Sequence, residues 1–431
     1  IRTSDPLLNQ LYQNIVWGEK DNLLDVPTDC PQRDERLGWT GDAQVSIRAI
    51  TCTFDGKRFF SKWLRDMAAE QRGDGTVSHF VPNVGLFTKD PALFCGGSAW
   101  ADAAVICPWQ LYQAYGDKEL LREHLPMMQK WVEYVCRAAG DSCIWSTGHH
   151  YGDWLALDAG EGNYTGASRK EFIATAFYAH SAQLLAQAMD ALDMDGAAYH
   201  RLFETIRAAH QNAFPDCRTQ TECALALHFG LAAAPDRVAA LAELVRSNGN
   251  RLTTGFVGTP YLLHALSENG YAQTAYDLLL QTEAPSWLFS VKMGATTVWE
   301  HWDSRKADGS FWSTDMNSFN HHAYGAVADW LYAAAGGIRP GKPGYETVLF
   351  SPIPNRRLQR FEVVVNTPHG KVCSCWKWNG PTVTYVLTTP VSAEIRLGGE
   401  QHNVAAGTYT FVRGGYDKSP YEAKGFLNVR R

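Results

Sequence analysis

At 431 residues the chain exceeds what one ordinary core organises, so a large domain with a smaller companion is expected. A formal net charge of −6 supplies no broad basic field, which argues against nucleic acid or an anionic membrane surface as partner and favours a neutral small molecule or polymer. Charged residues make up only 19% of the chain against 12% aromatics, with 15 tryptophans, so rings suffice both to fill cores and to line a cleft.

The first predicted helix follows Ser4 as cap, opened by Asp5 and Pro6, with Leu8, Leu11, Ile15 and Val16 at helical spacing. Further helices are expected over 42–53, 57–72, 98–115, 117–138, 166–190, 192–213, 220–231, 235–247, 257–268, 270–282 and 319–335. Their lengths and short links favour antiparallel pairs, and six such pairs in a ring would make an (α/α)6 barrel. Periodicity alone leaves an open helical solenoid as the alternative, since both bury one face of each helix. Two irregular stretches, 73–97 and 284–318, are long enough to be functional loops.

After the linker "GGIRPGKPG" (336–344) the pattern turns to strands: "RFEVVVNT", "GKVCSCWKW", "TVTYVLTT" and "SAEIRL". The expected architecture is therefore mainly α, an (α/α)6-barrel domain over 1–337, followed by a small antiparallel β-sandwich over 338–431. The ten cysteines form no CxxC pair and read as scattered thiols of a reducing compartment, which favours the cytoplasm. No run of about 18 apolar residues suggests a membrane span. The chain opens on Ile1 rather than methionine, which reads as a fragment or a processed form.

"DCPQRDERLGWTGD" (29–42) interleaves the acids Asp29, Asp34, Glu35 and Asp42 with Arg33, Arg36 and Trp39. Pro31 and Gly38 resist helix, and Thr40 or Asp42 could cap the helix that follows, so a purely structural polar turn is one reading. The other is a sugar site, where charged groups bond hydroxyls and a ring covers the C–H face. "TVWEHWDS" (297–304) places Glu300 among Trp299, His301, Trp302 and Asp303, a setting suited to acid–base work. Glycoside hydrolysis needs two carboxyl groups flanking one bond, and Glu35 and Glu300 are the natural pair. Spacing alone leaves Asp34 open beside Glu35, and Asp303 beside Glu300.

The stretch 25–45, with "VWEHWD" (298–303) and "FNHHAYGAVADWLY" (319–332), resembles bacterial α-L-rhamnosidases of glycoside hydrolase family 78. That resemblance implies an (α/α)6-barrel enzyme that releases terminal α-L-rhamnose with inversion. It implies Glu35 as the general acid and Glu300 as the base that activates water. It further implies that Asp29, Arg33, Asp42 and His321 contact rhamnose hydroxyls beside the wall of Trp39; Trp100, Asp153, Trp154 and Trp299 are added as sugar contacts. The family's usual N-terminal β-domains are missing from the chain. Rhamnose-containing glycosides, such as flavonoid glycosides, saponins or polysaccharide fragments, are the implied partners.

No nucleotide loop appears, and His321 with His322 lacks a third ligand for zinc, so neither cofactor nor metal is expected. "HH" at 149–150 reads as surface loop. Two rival functions stay open: a hydrolase for another α-glycoside, and a non-catalytic carbohydrate-binding protein. L-Rhamnose lacks an oxygen at C6, so its pocket should offer apolar surface there.

Overall fold

Asp5, rather than Ser4, caps the first helix, α1 (Pro6–Asn22): its carboxylate accepts the N–H groups of Leu7 and Leu8. The Ser4 hydroxyl is engaged elsewhere, accepting the N–H of Gln359 at 2.8 Å and so tying the start of the chain to its C-terminal part. The computed structural model describes residues 1–85, 94–160, 163–232 and 234–414. Part of the loop expected at 73–97, and the end of the sandwich expected at 338–431, lie outside these residues.

The helices that follow come in pairs of unlike burial. α2 (Thr40–Thr53) is buried from Thr40 through Ile47, whereas α3 (Lys57–Glu70) buries one face through Phe60, Trp63, Leu64 and Met67. Each of these large side chains contributes on the order of 1.5–3 kcal/mol by leaving water. The alternation continues: α4 (Ala103–Tyr115) with α5 (Lys118–Ala139), and α6 (Lys170–Ala191) with α7 (Ala197–Ala213). α8 (Gln220–His228) then precedes α9 (Ala234–Ser247), and α10 (Thr259–Ser267) precedes α11 (Ala272–Leu279). The loop expected at 284–318 contains a short helix, α12 (Trp287–Lys292), capped by the Ser286 hydroxyl on the Phe289 N–H. The helix expected over 319–335 is broken into a 3₁₀ turn (His322–Ala326), α13 (Val327–Trp330) and a π-turn (Leu331–Ala335).

The buried members form a circuit. α2 packs on α4, α4 on α6, α6 on α8, α8 on α10, α10 on α13, and α13 returns to α2. The loops at one end of this circuit carry the polar residues described below.

Nine strands are assigned among the described residues, in two sheets. The first has the order β1 (Arg2–Thr3), β4 (Arg360–Thr367), β5 (Gly370–Asn379), β6 (Thr382–Thr389), β9 (Gly407–Arg413). The second runs β2 (Ile338–Lys342), β3 (Thr347–Phe350), β7 (Ala393–Leu397), β8 (Glu400–Val404). The expectation of purely antiparallel strands needs correction: β3 and β7 pair in parallel, because the chain crosses to the other sheet between them. Burial alternates along β4 and β5, so Phe361, Val363, Val365, Val372 and Trp376 share the inner face. Trp376 Nε1 donates to the Ala335 carbonyl at 2.8 Å, joining the sheet to the last helical turn. The link needs Gly337: its φ is +68°, and a Cβ there would meet the Pro352 nitrogen at 2.0 Å.

Candidate active site

The segment 29–42 folds as a tight loop that delivers its side chains to one pocket. Asp29 and Leu37 close it reciprocally, through Asp29 N–H to Leu37 O (3.1 Å) and Leu37 N–H to Asp29 Oδ1 (3.0 Å). A turn between Arg33 O and Arg36 N–H projects Arg33 and Glu35 inward and leaves Asp34 fully exposed beside Arg36. Neither Thr40 nor Asp42 caps α2. Thr40 Oγ1 donates to His79 O at 2.9 Å, and Asp42, in the first turn, accepts from His321. Gly41 is obligatory, since a Cβ there would lie 2.5 Å from the Trp100 ring.

The pocket, about 40 Å³, is lined by Asp29, Glu35, Trp39, Asp42, Trp100, Trp154, Glu300 and His321, together with Tyr151, Phe256 and Met316. Eight residues expected to serve the site thus converge on it. Arg33 sits just behind the lining and joins the two glutamates. Its Nη1 donates to Glu300 Oε2 at 3.0 Å, while its Nη2 lies 3.3 Å from Glu300 Oε1 and 2.5 Å from Glu35 Oε2. One guanidinium nitrogen therefore holds both carboxylates. Their facing oxygens are nearer than the roughly 6.5–9.5 Å at which inverting pairs keep their carboxyl groups.

Burial raises the Glu35 carboxyl above its ordinary range, and Glu300 and Asp42 add to this against the pull of Arg33 and His321. Asp29 is driven up to about 7, mainly by burial. Burial alone would lower the His321 imidazole, but the facing Glu300 and Asp42 carboxylates raise it to about 9. Its Nε2 lies 2.8 Å from Asp42 Oδ1 and its Nδ1 lies 4.0 Å from Glu300 Oε1. Its neighbour His322 is lowered by burial to about 4 and bonds the Ser46 hydroxyl, away from the pocket.

The His321 shift carries a pH prediction. The folded state holds this proton more tightly than the unfolded chain, so the stabilisation is complete below about pH 6.5 and fades as pH rises through about 9. Thermal melts between those values should show a fall in Tm that is shallower in His321→Asn; parallel slopes would remove His321 as the source.

Two expected sugar contacts do not reach the pocket. Trp299 packs against Phe289, Ala295 and Phe319. The backbone pairs Glu300 N–H with Ser318 O and His321 N–H with Val298 O, which fixes this stretch against the segment that carries His321. Glu300 faces the pocket and Trp299 turns away. Asp153 is wholly buried: its oxygens accept the N–H groups of Gly255 (2.8 Å), Val257 (2.8 Å) and Gly258 (3.1 Å) and the Thr221 hydroxyl. It thereby fixes the loop that presents Phe256, and burial holds its carboxyl at about 6 against those bonds. Asp153→Ala is expected to cost about 3 kcal/mol or more in a denaturant melt, by orphaning buried donors. A stable Asp153→Ala protein with a raised KM would return the residue to the sugar site.

Asp303 bonds His301 Nδ1 at 2.5 Å and is likewise absent from the lining. His150 is buried, accepting from Ser98 N–H at 3.1 Å, rather than lying in a surface loop as expected. Tyr151, Phe256 and Met316 were not anticipated as lining residues. Only Tyr151 carried a signal, three positions before Trp154, and its ring sits 4.5 Å from that of Trp100. Among the described residues no group of three His, Cys, Asp or Glu side chains is arranged to hold a metal, and no helix is long and apolar enough to cross a membrane.

The family model for the bacterial α-L-rhamnosidase six-hairpin glycosidase domain matches residues 1–335, and that for the bacterial α-L-rhamnosidase C-terminal domain matches 337–408. An α-L-rhamnosidase of Streptomyces avermitilis is 39% identical over 425 residues, covering 95% of this chain and 40% of the relative. The crystal structure of the Streptomyces avermitilis α-L-rhamnosidase complexed with L-rhamnose superposes with a TM-score of 0.88 at 36% identity, covering 96% of this chain and 42% of that one. That of the Aspergillus terreus α-L-rhamnosidase gives 0.89 at 33% identity, covering 95% and 49%. The chain spans less than half the length of the curated relatives it matches. With both of its parts matched in order, and with relatives above 30% identity over nearly its whole length, the chain belongs to the bacterial α-L-rhamnosidase family.

Proposed function

We propose that this chain is the catalytic unit of an inverting α-L-rhamnosidase, a hydrolase that releases terminal α-L-rhamnose from rhamnosides. The observation that carries this reading is the pairing of Glu35 and Glu300 through Arg33 at one pocket that also gathers Asp29, Asp42 and His321 among aromatic walls. In this reading the circuit of buried helices is an (α/α)6 barrel over 1–337. The two C-terminal sheets pack as a β-sandwich from 338 onward.

Glu35, with its raised carboxyl, protonates the departing glycosidic oxygen. Glu300 takes a proton from the water that attacks the anomeric carbon from the opposite face. Arg33 holds Glu300 through two hydrogen bonds until sugar and water enter. Exchange of one of its contacts for the incoming water opens the narrow gap to the span inversion needs. Asp29 Oδ2, Asp42 and protonated His321 hold the hydroxyls, and Trp39, Trp100 and Trp154 cover the C–H faces. Phe256 and Met316 supply apolar surface suited to a 6-deoxy carbon.

The test is NMR of the sugar first released from a rhamnoside. β-L-Rhamnose appearing before mutarotation is the expected result. The α anomer appearing first would overturn inversion, and absence of rhamnose would overturn the activity.

A further inference from the structure

His79 is wholly buried and stands behind the pocket rather than in its lining. Its carbonyl accepts both the N–H and the hydroxyl of Thr40, each at 2.9 Å, which pins the start of α2 between Trp39 and Asp42. Its imidazole Nε2 accepts the Gly97 N–H at 2.8 Å, three residues before Trp100, and its Nδ1 lies 2.9 Å from the Tyr151 hydroxyl. Three segments that line the pocket thus meet at one residue. The Gly97 bond also selects the tautomer. A backbone N–H only donates, so Nε2 keeps its lone pair and the hydrogen of the neutral ring sits on Nδ1. Burial, with His149 and His150 nearby, lowers the imidazole to about 3 and keeps it neutral.

We infer that His79 is a positioning residue for sugar binding, one that donates from Nδ1 to the Tyr151 oxygen and so fixes that ring against Trp100, 4.5 Å away. The inference rests on the hydrolase reading above and deepens it. Among the described residues His79 supplies the one hydrogen bond to the Tyr151 hydroxyl. The Trp100 segment has further anchors: Ser98 N–H on His150 Nδ1 (3.1 Å) and Ala99 N–H on Asp102 Oδ2 (2.7 Å). Tyr151 is therefore the wall that depends on His79. The imidazole has no room to shift toward Gly97, where an added Cβ would meet Nε2 at 2.6 Å. Without the Nδ1 donor the half-buried phenol is left to its ring contacts, among them Trp39, Trp100 and Trp154, and sugar binding must then also order it. The effect falls on affinity, because His79 lies outside the pocket that holds Glu35 and Glu300.

The experiment measures Kd for L-rhamnose by calorimetry, and kcat and KM on 4-nitrophenyl α-L-rhamnoside, in the wild-type chain and in variants of the bridge. Gln sets its side-chain oxygen near the place of Nε2 and Asn its amide nitrogen near that of Nδ1. His79→Gln thus keeps the Gly97 bond and loses the Tyr151 bond, and His79→Asn does the reverse. His79→Gln is expected to raise Kd and KM about 3- to 10-fold with kcat within about twofold, the worth of one hydrogen bond. His79→Asn should recover most of that affinity, and His79→Gln should add nothing further in a chain that already carries Tyr151→Phe. Unchanged Kd in a folded His79→Gln, a fall in kcat with KM unmoved, or losses that multiply in the double variant would each overturn the positioning role. Should His79→Gln not fold, Tyr151→Phe and Gly97→Ala break the bridge from its two ends, and unchanged affinity in both overturns it equally. In all these cases rhamnose release by the wild type still upholds the hydrolase reading. If the wild type neither binds nor releases rhamnose, that reading fails and the role of His79 falls with it.

Discussion

Glu35→Gln is expected to lose about 10²- to 10⁴-fold in kcat on rhamnosides whose leaving group must be protonated, and far less on a 2,4-dinitrophenyl rhamnoside. The amide keeps the shape of the side chain but carries no transferable proton, so the deficit should grow with the basicity of the leaving oxygen. Burial and the neighbouring acids hold the Glu35 carboxyl above its usual range, which keeps it protonated further toward neutral pH than a free glutamate. In the wild type, kcat/KM should therefore fall on the alkaline side as this carboxyl ionises, and Glu35→Gln should lose that limb. A variant equally slowed on both classes of leaving group would point to damage in binding rather than loss of an acid, and Asp34 cannot stand in for it, being fully exposed on Arg36.

Much of this site was legible because its residues sit in two short, chemically dense segments. Asp29, Arg33, Glu35, Trp39 and Asp42 are close in sequence, and the loop that turns them inward is set by local chemistry: proline, glycine and a reciprocal Asp29–Leu37 bond. The alternation of wholly buried and half-buried helices likewise follows from periodicity. The misreadings have a common cause. Company in sequence does not give a side chain its direction: Trp299 packs on Phe289 and Ala295 while the adjacent Glu300 enters the pocket, and Asp153 is buried while the adjacent Trp154 lines it. Asp153 shows the further difficulty that a carboxylate holding three backbone N–H groups looks, in sequence, like one holding a sugar. Phe256 reaches the pocket only because that distant carboxylate shapes its loop, and Met316 arrives through the folding of 304–317 onto itself; neither relation leaves a local pattern. The breaks in 319–335 were hidden for a different reason: the apolar spacing is helical throughout, and tight tertiary packing of His322 and Gly325 against the first helices selects the 3₁₀ turn.

Glu300→Gln is expected to lose a comparable factor, about 10²- to 10⁴-fold, but equally on good and poor leaving groups. Attack by water is required whichever group departs, so removing the base should lower all rates together and leave the wild-type dependence on the leaving group unchanged, unlike Glu35→Gln. Glu300 is almost wholly buried and bidentate with Arg33, whereas Glu35 is 22% exposed at the pocket mouth. That asymmetry matches a base sheltered on the far side of the sugar and an acid facing the aglycone. Measuring kcat for both variants across a series of aryl rhamnosides separates the roles: a steep slope for Glu35→Gln beside an unaltered slope for Glu300→Gln fits the assignment. The reverse pattern would exchange the two carboxylates, and full activity in Glu300→Gln would remove it from the reaction. Circular dichroism and a melting curve complete the comparison, because the amide still accepts one Arg33 hydrogen bond but leaves that guanidinium short of a charge partner, a loss tempered by the continued presence of Glu35 at 2.5 Å.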